Sequence, residues 1–375
     1  MVWNGDELSV RLLGRRRLGF TARATRAWLA RPWSPGARRR IALIAMNDVL
    51  AWPQIYPLLR YRARFAASQT EFRVFDYHHI DVADLGSDLA AIAVQAPYGA
   101  GDGEIERLLG GLKAAHPDTP LSFLDWFAPT DIRFSERVAP YVSHYVKKAL
   151  LRDRGAYIMP TDGHTQLTDH FSRRLGTDNP APEWRVDPSI VDRLMIGPAF
   201  ATGPALLPGF ERPAAASAHR PIDLHARIAV EGTPWYQAMR QEAADKVGSS
   251  FPDLRVAASG RISRRAFLDE LRASKLCFSP FGYGELCWRD YEAALCGAVL
   301  VKPDMSHIEC DPDIFVPFET YIPVRWDLAD LDEKVREALR RPEWLAEIAA
   351  AARQRVVEYL AGPSLERFVA GLCGR

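Results

Sequence analysis

The sequence predicts an α/β protein built from two doubly wound parallel sheets in tandem, and three observations carry that expectation. Short apolar runs alternate with helical patterns in two separate stretches, residues 41–126 and 222–304; strands alternating with helices imply parallel sheets wound by crossover helices. A stretch rich in Pro and Gly near residues 198–213 reads as the linker between them. The length of 375 residues, 48% hydrophobic and 25% charged, suits a globular protein of about two domains. The expected boundaries are a basic extension at 1–40, a first domain at 41–205, a second at 206–342 and terminal helices at 343–375.

Net charge is +1, but ten arginines fall in residues 1–40 against Asp6 and Glu7 alone. This segment interleaves arginine with Leu12, Leu13, Leu18, Phe20, Trp28, Leu29 and Trp33, a pattern that suits an anionic membrane surface or a solvated extension. Nothing later in the chain is basic enough to continue a nucleic-acid footprint. Five cysteines, Cys277, Cys287, Cys296, Cys310 and Cys373, form no C-x-x-C pair, and the first three, which fall in an apolar stretch, read as small buried hydrophobes. No apolar run approaches the ~18 residues that span a bilayer, and no signal peptide is visible, so the expectation is a cytoplasmic protein, peripheral at most.

In the first domain IALIAMN (41–47), FRVFDY (72–77), DLAAIAVQAP (88–97) and PLSFLDW (120–126) read as strands, with helices over 52–65 and 104–116. Loops after these strands converge on one sheet edge, where ligands of open parallel sheets bind. They carry Asp48, then Asp76, His78 and His79, then Asp125 and Asp131, the candidate proton acceptors. PYGAGDGE (97–104) lacks the G-K-[ST] ending of a phosphate loop. Residues 141–157 read as an amphipathic helix whose Lys147, Lys148, Arg152 and Arg154 form a solvated face, and residues 161–213 show little regular structure.

The second domain opens with a strand at 222–230, a helix with Thr233 as N-cap and Pro234 at its first position, a strand at 254–259 and a serine-capped helix from Ser263. The stretch KLCFSPFGYGELCWRDYEAALCGAVLVKPD (275–304) is a strand, a glycine-bearing turn, a helix and a strand. Gly282 and Gly284 permit close backbone approach by an anion at the helix amino end. Arg289 and Glu292, three residues apart, share a helix face. A guanidinium clamps phosphate and a carboxylate accepts ribose hydroxyls, so this face offers both parts of a nucleotide handle. Asp304, Ser306, His307 and Glu309 follow the last strand on the same edge. Asp311 and Asp313 form a D-x-D in a Pro-containing loop, read as a turn and not a metal site.

Pro280, Gly282, Arg289, Glu292, Ala293, Gly297 and Val301 together resemble the donor motif of GT-B glycosyltransferases, especially the exostosin-like, fucosyltransferase-like and group 1 families. The resemblance implies two Rossmann-like domains facing a cleft, with C-terminal helices crossing back to the first. It implies transfer of a sugar from a nucleotide-sugar donor to a glycan or lipid-linked acceptor, without metal or other cofactor. Donor contacts would come from Arg227, Arg261, Gly282, Tyr283, Gly284, Glu285, Arg289 and Glu292, and the base from Asp48, Asp76, His78 or Asp125. Retaining families carry two glutamates with seven residues between them; counting back from Glu292, Gly284 stands where the first belongs and Glu285 follows one residue late, which favours inversion. A nucleotide-sugar epimerase and a non-catalytic sugar- or nucleotide-binding protein are the alternatives.

Overall fold

The computed structural model describes residues 33–161, 166–178, 184–214, 219–258 and 260–374. The membrane-contact expectation falls mostly on residues 1–32, outside them. The end of that basic segment belongs to the first domain instead. Trp33 Nε1 donates to Leu85 O at 2.8 Å, and the Arg73 guanidinium lies 4.5 Å over its ring.

The first domain contains β1 (Arg39–Ala45), β2 (Thr70–Asp76), β3 (Leu89–Val94), α1 (Glu104–Ala115), β4 (Leu121–Asp125), β5 (His144–Lys147), β6 (Ala149–Leu151), α2 (Gln166–Leu175) and β7 (Leu194–Ile196). All these strands except β6 form one parallel sheet in the order β2-β1-β3-β4-β5-β7. Apolar runs at β1 and β4 are buried nearly end to end, as a sheet covered on both faces requires. The helix expected over 52–65 is instead broken into Trp52–Gln54, Tyr56–Arg60 and Arg62–Ala66, because Pro53 and Pro57 each sit at the start of a new turn and cannot donate within a longer one.

The helix expected over 141–157 is absent. This stretch forms β5, β6 and a short 3-10 turn, Arg154–Ile158. Lys147 and Lys148 are 1% and 4% exposed. Lys147 pairs with Asp125 on the neighbouring strand at 2.8 Å, and this partner makes burial of a lysine tolerable.

The second domain contains β8 (Ile222–His225), α3 (Pro234–Ser250), β9 (Val256–Ala257), α4 (Arg264–Arg272), β10 (Ser274–Phe278), α5 (Trp288–Cys296), β11 (Val299–Pro303), β12 (Ile308–Cys310), β13 (Ile322–Val324), α6 (Leu331–Leu339), α7 (Pro342–Ala361) and α8 (Ser364–Leu372). Its parallel sheet runs β13-β11-β10-β8-β9. The pleat divides its side chains between two cores. Leu276, Phe278, Val299 and Val301 join a cluster inside this domain, whereas Cys277 and Leu300 face a larger cluster continuous with the first domain.

Three devices join the domains. β12 pairs antiparallel with β6, Ile308 opposite Leu151. Arg64 donates to the carbonyls of Leu360 and Gly362 and pairs with Glu366, so the terminal helices return to the first domain. Trp326 sits among His170 and Phe171 of α2 and Phe281 and His307 of the second domain, at ring distances of 4.8, 6.1, 5.1 and 5.0 Å.

Candidate active site

The glycine-bearing turn and α5 define the site's floor. Cys287 is the N-cap of α5, and its N–H donates to Asp290 Oδ2 at 2.8 Å. Asp290 also accepts from Ser279 Oγ at 2.7 Å and pairs with Lys302 at 3.2 Å, both charged groups being fully buried. A carboxylate from within the chain therefore already closes this helix end. The expected anion cradle at Gly282 and Gly284 is likewise engaged. Gly282 N–H donates to Gly284 O at 3.1 Å, and a Cβ on Gly284 would stand 1.8 Å from Ala128 O. Gly284 is small because a loop of the first domain presses on it. Tyr283 leaves the turn to stack on Tyr236 at 4.2 Å, and its hydroxyl accepts from Thr233 N at 3.0 Å over the amino end of α3. Thr233 is at the N-cap as expected, but its side chain makes no cap bond.

Arg289 and Glu292 lie on α5 at the carboxyl edge of the sheet, each engaged differently. Arg289 donates Nη1 to Phe278 O at 3.4 Å and Nη2 to Arg227 O, while its buried Nε has no hydrogen-bond partner among the described residues. Glu292, 4% exposed, pairs with Arg264 at 2.8 Å. Burial raises its pKa above the usual carboxylate range despite the arginines beside it. Arg227 forms a two-pronged pair with Glu270, both contacts 2.7 Å, and donates to Gly260 O. Arg261 stands in solvent, paired with Glu231.

Glu285, 1% exposed, accepts from Thr130 Oγ1 of the first domain, and His307 Nε2 lies 3.7 Å from its other oxygen. The structure thus brings together Thr130, Glu285, His307 and Trp326 where the domains meet. Thr130, Arg264 and Glu270 were missed in the sequence, because each is identified only by a partner distant along the chain.

The first-domain candidates divide by burial. Asp125 is fully buried, accepting from Tyr145 Oη at 2.6 Å, Phe127 N at 3.0 Å and Lys147 Nζ at 2.8 Å. It is closed off inside the sheet by its register opposite Lys147, and does not stand at the open edge where a proton acceptor was expected. Asp131 is clasped by Arg133 at 2.6 and 2.8 Å. Asp48 accepts from Leu50 N at 2.7 Å, and Asp76 accepts from His78 N with His79 Nδ1 3.1 Å away. His78 is exposed. Asp48, Asp76 and the two histidines remain at the open sheet edge.

Lys148 donates to Trp126 O at 2.9 Å and lies 4.5 Å over the Phe200 ring, with no ion pair among the described residues; burial, and then the charge of Lys147, pulls its pKa down to about 7 against the pull of Asp125. Its unfolded value is near 10.5, so the unfolded chain holds the extra proton between these values, and stability rises with pH from about 7 to 10. Lys148→Met is expected to be more stable than wild type by about 2 kcal/mol at pH 7, with the gap closing by pH 10. Denaturant midpoints across that range test this, and a gap independent of pH would contradict it.

Two parallel-sheet α/β domains joined in this way form the GT-B architecture. Residues 216–361, most of the second domain, match the family described as "Glycosyl transferase-like". Among solved structures, the chain is similar to TarM at 12% identity, covering 75% of this chain and 54% of that one with a TM-score of 0.43; it spans about half of TarM. It is similar to a glycosyltransferase from Rickettsia africae ESF-5 at 10% identity, 89% and 99% coverage and TM-score 0.44. For T4 phage BGT in complex with its UDP-glucose substrate, identity is 9%, coverage 89% and 99%, and TM-score 0.42. No curated protein matches by sequence.

Proposed function

We propose that the protein is a glycosyltransferase that takes a sugar from a nucleotide-sugar donor held by the second domain and passes it to a glycan or lipid-linked acceptor held by the first. The observation that carries this reading is the glycosyl transferase-like match over 216–361, which includes Arg289 and Glu292 on one helix at the carboxyl edge of the sheet. Glu292 is the ribose acceptor, released from Arg264 when the nucleoside enters. Arg289 has an unpartnered Nε beside the strand ends and meets the diphosphate as negative charge develops on the leaving group. Inversion requires a base from the first domain to take the acceptor's proton, and Asp48, Asp76 and His78 are the candidates open to the edge. Water is kept from the hinge side of the cleft by the Trp326 cluster and the contact between Thr130 and Glu285.

The reading is metal-independent. Asp313 accepts from Phe315 N at 2.8 Å, and burial raises Asp311 to about pKa 6, so the D-x-D serves a turn. Among the described residues no helix is long and apolar enough to cross a membrane, and a peripheral cytoplasmic location for a lipid-linked acceptor accords with that.

Calorimetric titration with UDP, GDP, CDP, dTDP and CMP in EDTA tests the donor site. One nucleotide is expected to bind selectively, and Glu292→Ala to weaken it about tenfold or more, the worth of hydrogen bonds to a charged acceptor. Unchanged affinity in the folded variant would remove Glu292 from the site.

A further inference from the structure

A cavity of about 940 Å³ opens at the opposite edge of the second sheet, where β8, β10 and β11 begin. This is the size of small-molecule sites generally. It lies at the amino ends of the strands, whereas Arg289 and Glu292 stand at their carboxyl ends, so it is distinct from the cleft. One wall is apolar, from Leu295 at the end of α5 and Leu345 and Ala349 on α7.

The rest of the lining is unbalanced in charge. Arg220, Arg255, Arg272, Lys275 and Arg353 line it with a single carboxylate, Asp223. Asp223 is taken by Lys275 at 2.6 Å, and Arg272 is answered by Asp269 at 2.7 Å. Arg220 and Arg353 have no carboxylate partner among the described residues, whereas the Arg255 main-chain N–H donates to Asp223 Oδ2 at 3.0 Å and the charge of Arg255 acts on that same carboxylate. Arg220 donates to the carbonyls of Leu271, Ser274 and Cys296, and Arg353 to those of Gly209, Phe210 and Arg212. Burial lowers the pKa of both. Arg255 is exposed at the mouth. Two guanidiniums are thus fixed in place by main-chain oxygens with their charge unanswered, beside an apolar wall. An anion entering here would meet preorganised cations and recover the solvation they lose.

We propose that this cavity is a second binding site, for a small molecule that joins a phosphate group to an apolar body. The phosphate sits between Arg220, Arg255 and Arg353, and the body lies against α7. Because α5 runs from Arg289 at the cleft to Leu295 at this wall, an occupant touches the same rigid helix that handles the donor.

Inorganic pyrophosphate is the probe, titrated calorimetrically into wild type, Arg255→Glu, Arg289→Ala and Arg355→Glu, the last making the same charge change on the exposed side of α7. Binding is expected in wild type, retained in Arg289→Ala and Arg355→Glu, and weakened about tenfold or more in Arg255→Glu. Arg255 is exposed, so this variant folds, and an unchanged thermal midpoint checks that. Absence of binding in wild type, equal affinity in Arg255→Glu, or loss in Arg289→Ala or Arg355→Glu would each overturn the proposal. Because the nucleotide titration above reads Glu292 at the other edge, failure of one assignment leaves the other standing.

Discussion

Asp125→Ala is expected to destabilise the first domain by about 3–5 kcal/mol, the cost of leaving one member of a buried ion pair alone. Lys147 and Asp125 are 1% and 0% exposed, and Asp125 also receives the Tyr145 hydroxyl and the Phe127 amide. Removing the carboxylate strands an ammonium, a phenol and an amide together in the sheet centre. The Lys147→Met, Asp125→Leu double variant removes both charges and is expected to recover a large part of the loss. Chemical denaturation of both variants measures this. Were Asp125 the catalytic base instead, Asp125→Asn would abolish turnover with the denaturation midpoint unmoved, and that outcome would sink the structural assignment.

Arg289→Ala is expected to lower turnover about 100- to 1,000-fold, the usual loss when one preorganised group is removed from a developing charge, while nucleoside affinity changes little. The guanidinium is held by carbonyls at the ends of two strands that neighbour each other in the sheet, Phe278 and Arg227, so it loses little ordering entropy when the diphosphate arrives. Arg289→Lys keeps charge but not the fork, and recovers only part of the rate. Steady-state kinetics beside nucleoside and nucleoside diphosphate titrations separate the effects. Equal weakening of both ligands would argue that Arg289 only supports the loop.

Much of the fold was legible because parallel strands write themselves as short apolar runs, as in Ile41–Ile44 and Leu276–Phe278. β5 and β6 were not, because Lys147 and Lys148 look like a solvated face until Asp125, far back along the chain, is known to sit beside them. The placement of Arg289 and Glu292 on one helix was legible since three-residue spacing fixes a shared face. Gly284 was read as room for an anion. A residue without a Cβ signals that something approaches closely, but not whether it is a phosphate or, as here, the backbone at Ala128. Glu285 with Thr130 and His307 depended on domain docking, which no local pattern encodes.

The ribbon of β6 and β12 has a consequence for biogenesis. Leu151 finds Ile308 only after more than 150 further residues have been made, and Arg64 waits longer still for Glu366. During synthesis the first domain emerges with a bare strand edge and an uncovered apolar flank, the condition in which nascent chains aggregate or recruit chaperones. Its native form waits on Leu360, Gly362 and Glu366, so truncation ahead of these residues strikes the amino-terminal half.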